Sequence, residues 1–468
     1  MNRADAPLVR AVGLRGATAI NVITMIGIGP LITMPLVLGA LHGPLSLVGW
    51  ILGALLALCD GLVWAELGSL YPHSGGTYGF LLETFGRATV GRLLAFLFVW
   101  QTVCTVPLIL ASGYIGFANY AGYLFPGLGA SPMHWAWPEL GMRVDALTLV
   151  AVGIGAVTIA VLYRGIASSS RIGVWLAAAA LSTLLAVIIA SYSHFSASQA
   201  LALPPPDSLW DGLRAGLGSA LVITMYDYAG YGTSSSIGGE IVSPATTIPR
   251  SIVMAIGVVA ALYVTMQFGV LGAMPWQQFV PLADGSLPPL GQHLASAIVE
   301  QSFGVIAGGV VTVLILITAF ASLFGNLLGS SRVPYAAAAD GVFLRSFAHV
   351  HPAHRFPDVS LVAIGVLALG ACVFSLDRII NALIAGVVLI QPIAQIAALA
   401  VLRARGVRAP YRMRWFPLPA LLALAGWVWV FVSAGGPAIT FGVVSLSVGA
   451  VIFGARAAVA REWPFTSQ

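Results

Sequence analysis

Long stretches of this chain carry no charge: between Phe303 and Ser331 every side chain is apolar or neutral, and similar runs recur along its length. About 20 mostly apolar residues suffice for a helix to cross the hydrocarbon core of a bilayer. Only 21 basic and 16 acidic residues stand among 468, and 59% of the chain is hydrophobic. A water-soluble globule must show part of its surface to solvent and could not hide that much apolar area. Soluble enzyme, nucleic-acid binder and disordered protein are therefore excluded. The chain reads as an all-α integral membrane protein in a lipid bilayer.

All 21 basic residues are Arg. A phosphate-binding loop of the G-x-x-x-x-G-K-[ST] type needs its Lys, so an ATP-driven pump is excluded, and Schiff-base cofactor chemistry needs a Lys amine. Cys59, Cys104 and Cys372 lie in apolar runs at wide spacing, without a metal pattern or disulfide framework. No cofactor and no metal is expected. The segment Met1 to Arg15 is polar with three Arg, and the apolar stretch after it is too long for a signal-peptide core. It is expected to be a first spanning helix.

Reading apolar runs between polar breaks predicts about twelve spans. They lie near 17–40, 45–70, 88–122, 145–163, 172–193, 213–239, 251–272, 303–339, 358–375, 379–402, 418–434 and 438–456. With the N-terminus in the cytoplasm, alternation through twelve spans puts 18 Arg inside and only Arg143, Arg214 and Arg378 outside. That asymmetry is the positive-inside rule, and it predicts a multi-pass protein of the cell membrane with both termini cytoplasmic. The long outer loops 123–144, 195–212 and 273–302 carry Trp135, Trp137, Trp210 and Trp276, where interfacial aromatics are favoured.

Two spans contain helix breakers at their middles. The first reads Thr24-Met25-Ile26-Gly27-Ile28-Gly29-Pro30, and the sixth reads Tyr226-Asp227-Tyr228-Ala229-Gly230-Tyr231-Gly232. Gly and Pro there weaken or remove backbone hydrogen bonds, which lipid tolerates only where the freed groups face protein or a water-filled cavity. Interrupted helices at matching places in two halves point to a transporter's central site. Packing glycines between membrane helices are the plainer alternative.

These residues resemble a known family. Met25-Ile26-Gly27-Ile28-Gly29 looks like the unwound Gly-Ser-Gly stretch in helix 1 of the amino acid–polyamine–organocation superfamily. Ala65-Glu66-Leu67-Gly68 and Tyr71-Pro72-His73-Ser74-Gly75-Gly76-Thr77-Tyr78 resemble its segment after helix 2. Gly239-Glu240 through Ser243-Pro244 and Ile248-Pro249-Arg250 are similar to its stretch after helix 6, and Ser331-Arg332, Ala339-Asp340-Gly341 and Pro357 to its helix 8 exit. The resemblance implies the LeuT-type fold, a 5+5 inverted repeat plus two peripheral helices. On this chain it divides into a cytoplasmic segment 1–16, a first repeat 17–200, a second repeat 201–405, and peripheral helices with a C-terminal segment 406–468. It also implies alternating-access transport of a small molecule, an amino acid or a related amine. The chain departs from the family at Ile28, where the middle Ser of the motif is lost, and at Ala180, which stands where some members carry a helix 5 Lys used in coupling.

A zwitterion in a dry cavity needs donors for its carboxylate and acceptors for its ammonium, and a broken helix offers both. Thr24, Ile26, Gly27, Ile28 and Gly29 would supply the first face, and Tyr226, Asp227, Tyr228, Ala229, Gly230 and Tyr231 the second. Tyr226 aligns with the family's aromatic gate. Asp227 is the expected centre of specificity or coupling, since an intramembrane carboxylate is costly and needs a partner; its role is a salt bridge to a substrate amine or carriage of H+, against a protonated carboxyl that only caps the broken backbone. Asp60 is a second intramembrane carboxyl, on a proton path or bonded across helices. Glu66 and Glu240 are expected to pair with loop Arg residues. Thr318, Ser322 and Asn326 share one face of helix 8 and form a weak ion-site candidate, against ordinary bonding to their own helix. His349, His351 and His354 read as a solvated loop rather than a metal site.

The leading expectation is a secondary amino acid transporter, proton-linked through Asp227. The alternatives are a polyamine or cationic amine permease, suited by Tyr226, Asp227 and Tyr231, and an amino acid exchanger or sensor of the same fold. A channel would need a filter of carbonyls or charges, and a membrane enzyme a cluster of catalytic groups; neither pattern is present in the sequence.

Overall fold

With so few charges to solvate, the backbone itself is the main polar load, and in lipid a helix satisfies it internally. The computed structural model describes residues 10–465 apart from 73–74, 130–133, 138, 140, 165–169, 204–205, 283–286 and 353–355. Arg3, His73, Ser74, His354 and Arg355 lie outside the described residues.

Helices occupy all twelve apolar runs. The first holds α1 (Leu14–Ile26) and α2 (Gly29–Leu41), bent by 52° at the break between them. α3 (Ser46–Leu70), the short α4 (Thr77–Phe85) and α5 (Val90–Leu124) follow. An antiparallel hairpin of β1 (His134–Trp137) and β2 (Met142–Asp145) leads into α6 (Ala146–Tyr163), α7 (Ser170–Ser193) and the single turn α8 (Ala197–Ala200). α9 (Pro206–Tyr228) stops short of the one-turn α10 (Thr233–Ser236), and α11 (Pro244–Ala273) comes next. Beyond it lie α12 (Pro289–Gln292), α13 (Leu294–Phe303), α14 (Val305–Ser330), α15 (Arg332–Ala339) and α16 (Asp358–Ala371). α17 (Leu376–Val388), α18 (Gln391–Ala404), α19 (Leu418–Ser433) and α20 (Gly436–Ala460) complete the chain.

Among the described residues seven helical stretches are individually long and apolar enough to cross a membrane, or eight with α1 and α2 taken as one bent span. Ala179–Ser193, α16 and α19 are shorter apolar helices. Large apolar side chains face outward, among them Ile306 at 85% exposure on α14 and Val451 at 71% on α20. A soluble surface rarely tolerates such apolar patches; a lipid-facing surface requires them.

The broken helices lie inside this shell. α2 packs on α9, α1 on α10 and α11, and α3 on both α9 and α11. Trp50 of α3, fully buried, donates its Nε1–H to Gln267 Oε1 at 3.0 Å and sets its ring edges against Tyr228 and Tyr263. The β-hairpin is tied to the turn between α16 and α17: Arg143 N–H donates to Val373 O at 2.7 Å and Ser375 N–H to Gly141 O at 3.1 Å. Trp135 and Trp137, expected at an interface, are exposed on it.

Glu66 ends α3 in a buried ion pair. Arg403, in the last turn of α18, reaches its two carboxylate oxygens at 2.8 and 2.6 Å, and Met413 N–H donates to the same carboxylate at 2.8 Å. The expected Arg partner thus comes from a helix end. Glu240 is fastened differently: its carbonyl accepts the N–H groups of Ala11 and Val12 at 3.0 Å each, which docks the segment before α1 beside α10. Removing one member of a buried pair strands the other charge. Arg403→Ala should therefore lower the unfolding free energy by about 3 kcal/mol, measured as a fall in Tm of the purified protein; an unchanged Tm would show that the pair contributes nothing.

Candidate functional site

The first break is set by backbone sterics. Gly27 has φ 39° and ψ −146°, a conformation side chains rarely adopt, and its N–H still donates to Ile23 O at 3.5 Å to close α1. Helix resumes at Gly29, with Pro30 next, where a missing N–H costs nothing. The second break centres on Gly230, φ 113°. The two interruptions pack against each other. A Cβ on Gly230 would lie 2.9 Å from Thr24 Cγ2, and one on Gly29 would lie 2.5 Å from Asp227 Oδ1.

Side chains from elsewhere take up the backbone groups so released. Tyr263 of α11 donates its O–H to Met25 O at 2.9 Å and lies 3.4 Å from Asp227 O, touching the carbonyl ends of both half-helices. Asn21 accepts from Ser234 N–H at 2.8 Å and donates to Ser234 Oγ at 3.1 Å, joining α1 to α10. Ser251 Oγ of α11 lies 3.1 Å from the same hydroxyl.

Asp227, 2% exposed, stands at this seam. Its Oδ2 is 2.6 Å from Thr33 Oγ1, while its Oδ1 is buried without a hydrogen-bond partner. Thr33 Oγ1 is also 3.0 Å from Gly29 O. A hydroxyl has one proton to give, so two arrangements fit. With the carboxyl ionised, Thr33 donates to Asp227. With it protonated, Asp227 donates to Thr33, and Thr33 donates to Gly29 O. The carboxyl also lies beside the start of α2, where free N–H groups and the helix dipole favour negative charge.

A cavity of about 340 Å³ opens beside the seam. Thr24, Ile26, Gly27, Ile28, Gly29, Tyr226, Asp227, Ala229, Gly230 and Tyr231 all line it, as do Ser322 and Asn326 of α14 and Asp60 of α3. The sequence expectations converge there with two differences. Tyr228 is fully buried away from the cavity, its O–H donating to Trp50 O at 3.1 Å, because it belongs to the last turn of α9 rather than to the unwound stretch. Thr318 does not line it either, and its Oγ1 is buried without a partner. Tyr226 is held by Ser112, whose own proton goes to Ile109 O at 2.7 Å; Tyr226 O–H is the donor between the two, at 2.8 Å. Tyr231 donates to Asp60 Oδ2 at 2.6 Å.

Sequence reading missed Thr33, Tyr263, Ser112, Asn21, Trp64 and Trp427. Thr33 follows Gly29 by four residues on one helix face, a signal strong enough to have found it. Trp427 comes from α19, far along the chain, and no local signal announces it. Of the histidine run, His349 Nδ1 is 2.6 Å from Asp358 Oδ1 and His351 stacks on Phe356, while His354 lies outside the described residues.

Known proteins are similar to this chain over most of its length. The family described as amino acid permease matches residues 12–454. A serine/threonine exchanger of Bacillus subtilis is 26% identical over 434 residues, covering 91% of each chain. A branched-chain amino acid permease of the same organism is 25% identical over 449 residues, 92% of this chain and 90% of its own. Mouse cationic amino acid transporter 4 is 26% identical over 396 residues, 82% of this chain and 58% of its own.

The packed seam makes a prediction. Gly29→Ala drives a methyl into Asp227 and should cut uptake about tenfold or more, the scale of an overpacked contact. Gly257→Ala on α11, which has open space around it, should leave uptake unchanged. Equal uptake by both variants, measured in proteoliposomes, would show that the contact at Gly29 is dispensable.

Proposed function

The chain belongs to the amino acid permease family, and from that premise we propose that it is a secondary transporter carrying an amino acid by alternating access, with H+ as the coupling ion. It spans the membrane twelve times with both termini in the cytoplasm, and α1–α2 and α9–α10 are the matching broken helices of two inverted repeats. The observation that carries the coupling is the Asp227 carboxyl, lodged between the two breaks with one oxygen on Thr33 and the other unpartnered.

Its placement links proton and substrate. Ionised, Asp227 puts a negative charge beside the start of α2 and repels a substrate carboxylate from the N–H groups there. Protonated, it withdraws that charge, donates to Thr33, and leaves the helix start free to take the carboxylate. The substrate ammonium then faces the carbonyl ends of α1 and α9. Proton and amino acid therefore favour each other's binding, and by linkage the preference is reciprocal. Tyr226, hinged on Ser112, closes over the ligand. Ser322 and Asn326 complete the wall and serve no sodium in this scheme.

The test is uptake into proteoliposomes under an imposed pH gradient. Asp227→Asn keeps the shape and a hydrogen bond to Thr33 but holds no titrating proton, so the pH-driven component of uptake should vanish. Full retention of that component would overturn the proton-carrier role.

A further inference from the structure

The cavity holds a second carboxyl that the coupling scheme leaves unused. Asp60, 1% exposed, has one oxygen on Tyr231 and the other, Oδ1, buried without a hydrogen-bond partner. Trp64 of α3, Tyr231 and Trp427 of α19 line the same cavity, and the indole N–H groups of Trp64 and Trp427 turn toward the Asp60 carboxyl. No Arg or His is among the described residues lining the cavity, and neither Asp60 nor Asp227 forms an ion pair among them.

A carboxylate inside a membrane needs a counter-charge, and the described protein supplies none to Asp60. Aromatic rings line the cavity beside it, and such rings attract a cation, more strongly where water is excluded. We infer that Asp60, Tyr231, Trp64 and Trp427 form a subsite for a second positive charge, the distal ammonium or guanidinium of a dibasic amino acid whose α-carboxylate and α-ammonium occupy the seam. The two carboxyls divide the work: Asp227 takes up a proton and Asp60 holds the substrate's far end. This deepens the transport reading and rests on it.

Lysine, norleucine and cadaverine separate the possibilities, since norleucine lacks the distal ammonium and cadaverine lacks the carboxylate. Ligand-induced rise in Tm of the purified protein gives each apparent affinity. Lysine should bind more tightly than norleucine by a factor on the order of ten, the worth of a hydrogen bond to a charged group. That ratio should fall toward unity in Asp60→Asn. Should Asp60→Asn fail to fold, Trp427→Leu removes an aromatic wall while keeping both carboxyls, and should also lower the ratio. A wild-type ratio near unity, or a ratio unchanged in the folded variants, overturns the subsite. Pronounced stabilisation by cadaverine, matching lysine, supports the subsite while overturning the reading of the carboxylate at α2. Failure of the transport reading itself would instead appear as absence of pH-driven uptake for every amino acid.

Discussion

Backbone groups freed inside a bilayer have to find partners, because lipid offers none, and the whole centre of this protein is organised around that debt. Two helices come apart at Gly27 and at Gly230, and the partners for what they release arrive from other helices: Tyr263 to Met25 O, and Asn21 to Ser234. The same requirement explains why the breaks lie against each other. Pressed together at Gly29–Asp227 and Gly230–Thr24, they leave no room for a Cβ and share one set of satisfying groups.

What the shared seam encloses is chemically lopsided. Its cavity has two carboxyls, several hydroxyls and aromatic rings, and no basic side chain among its described residues. Each carboxyl has one oxygen anchored by a hydroxyl at 2.6 Å and the other left bare. Such a lining accepts positive charge, as protons, ammonium groups or both. The helices around it are fixed by side chains that do not line the cavity. Trp50 and Tyr228 lock α3 to α9 and α11, and the Glu66–Arg403 pair ties the end of α3 to α18. In the proposed scheme such a surround would let a proton moving onto Asp227 act on the half-helices rather than dissipate.

The membrane character, the helical runs and both breaks were legible in the sequence, because each rests on local chemistry: apolar length, and glycine or proline where a helix should continue. Asp227 and Asp60 were legible for a related reason, since a carboxyl inside an apolar run is conspicuous by itself. What was not legible depends on rotation and long-range packing. Tyr228 and Tyr231 looked equivalent three residues apart, yet the helix ends between them, turning one toward Trp50 and the other toward Asp60. Glu240 looked like a partner for Arg and is used through its carbonyl. Trp427 reaches Asp60 only because α19 packs on α3, a contact between segments far apart in the chain.

In the proposed scheme the substrate and a proton on Asp227 bind together. The direct measurement is the number of protons taken up on amino acid binding, obtained by calorimetry at one pH in buffers of different ionisation heat. Net proton uptake is expected with each amino acid bound by the wild-type protein and none by Asp227→Asn. Substrate binding with no proton uptake in the wild-type protein, or with the same uptake in both proteins, would contradict it.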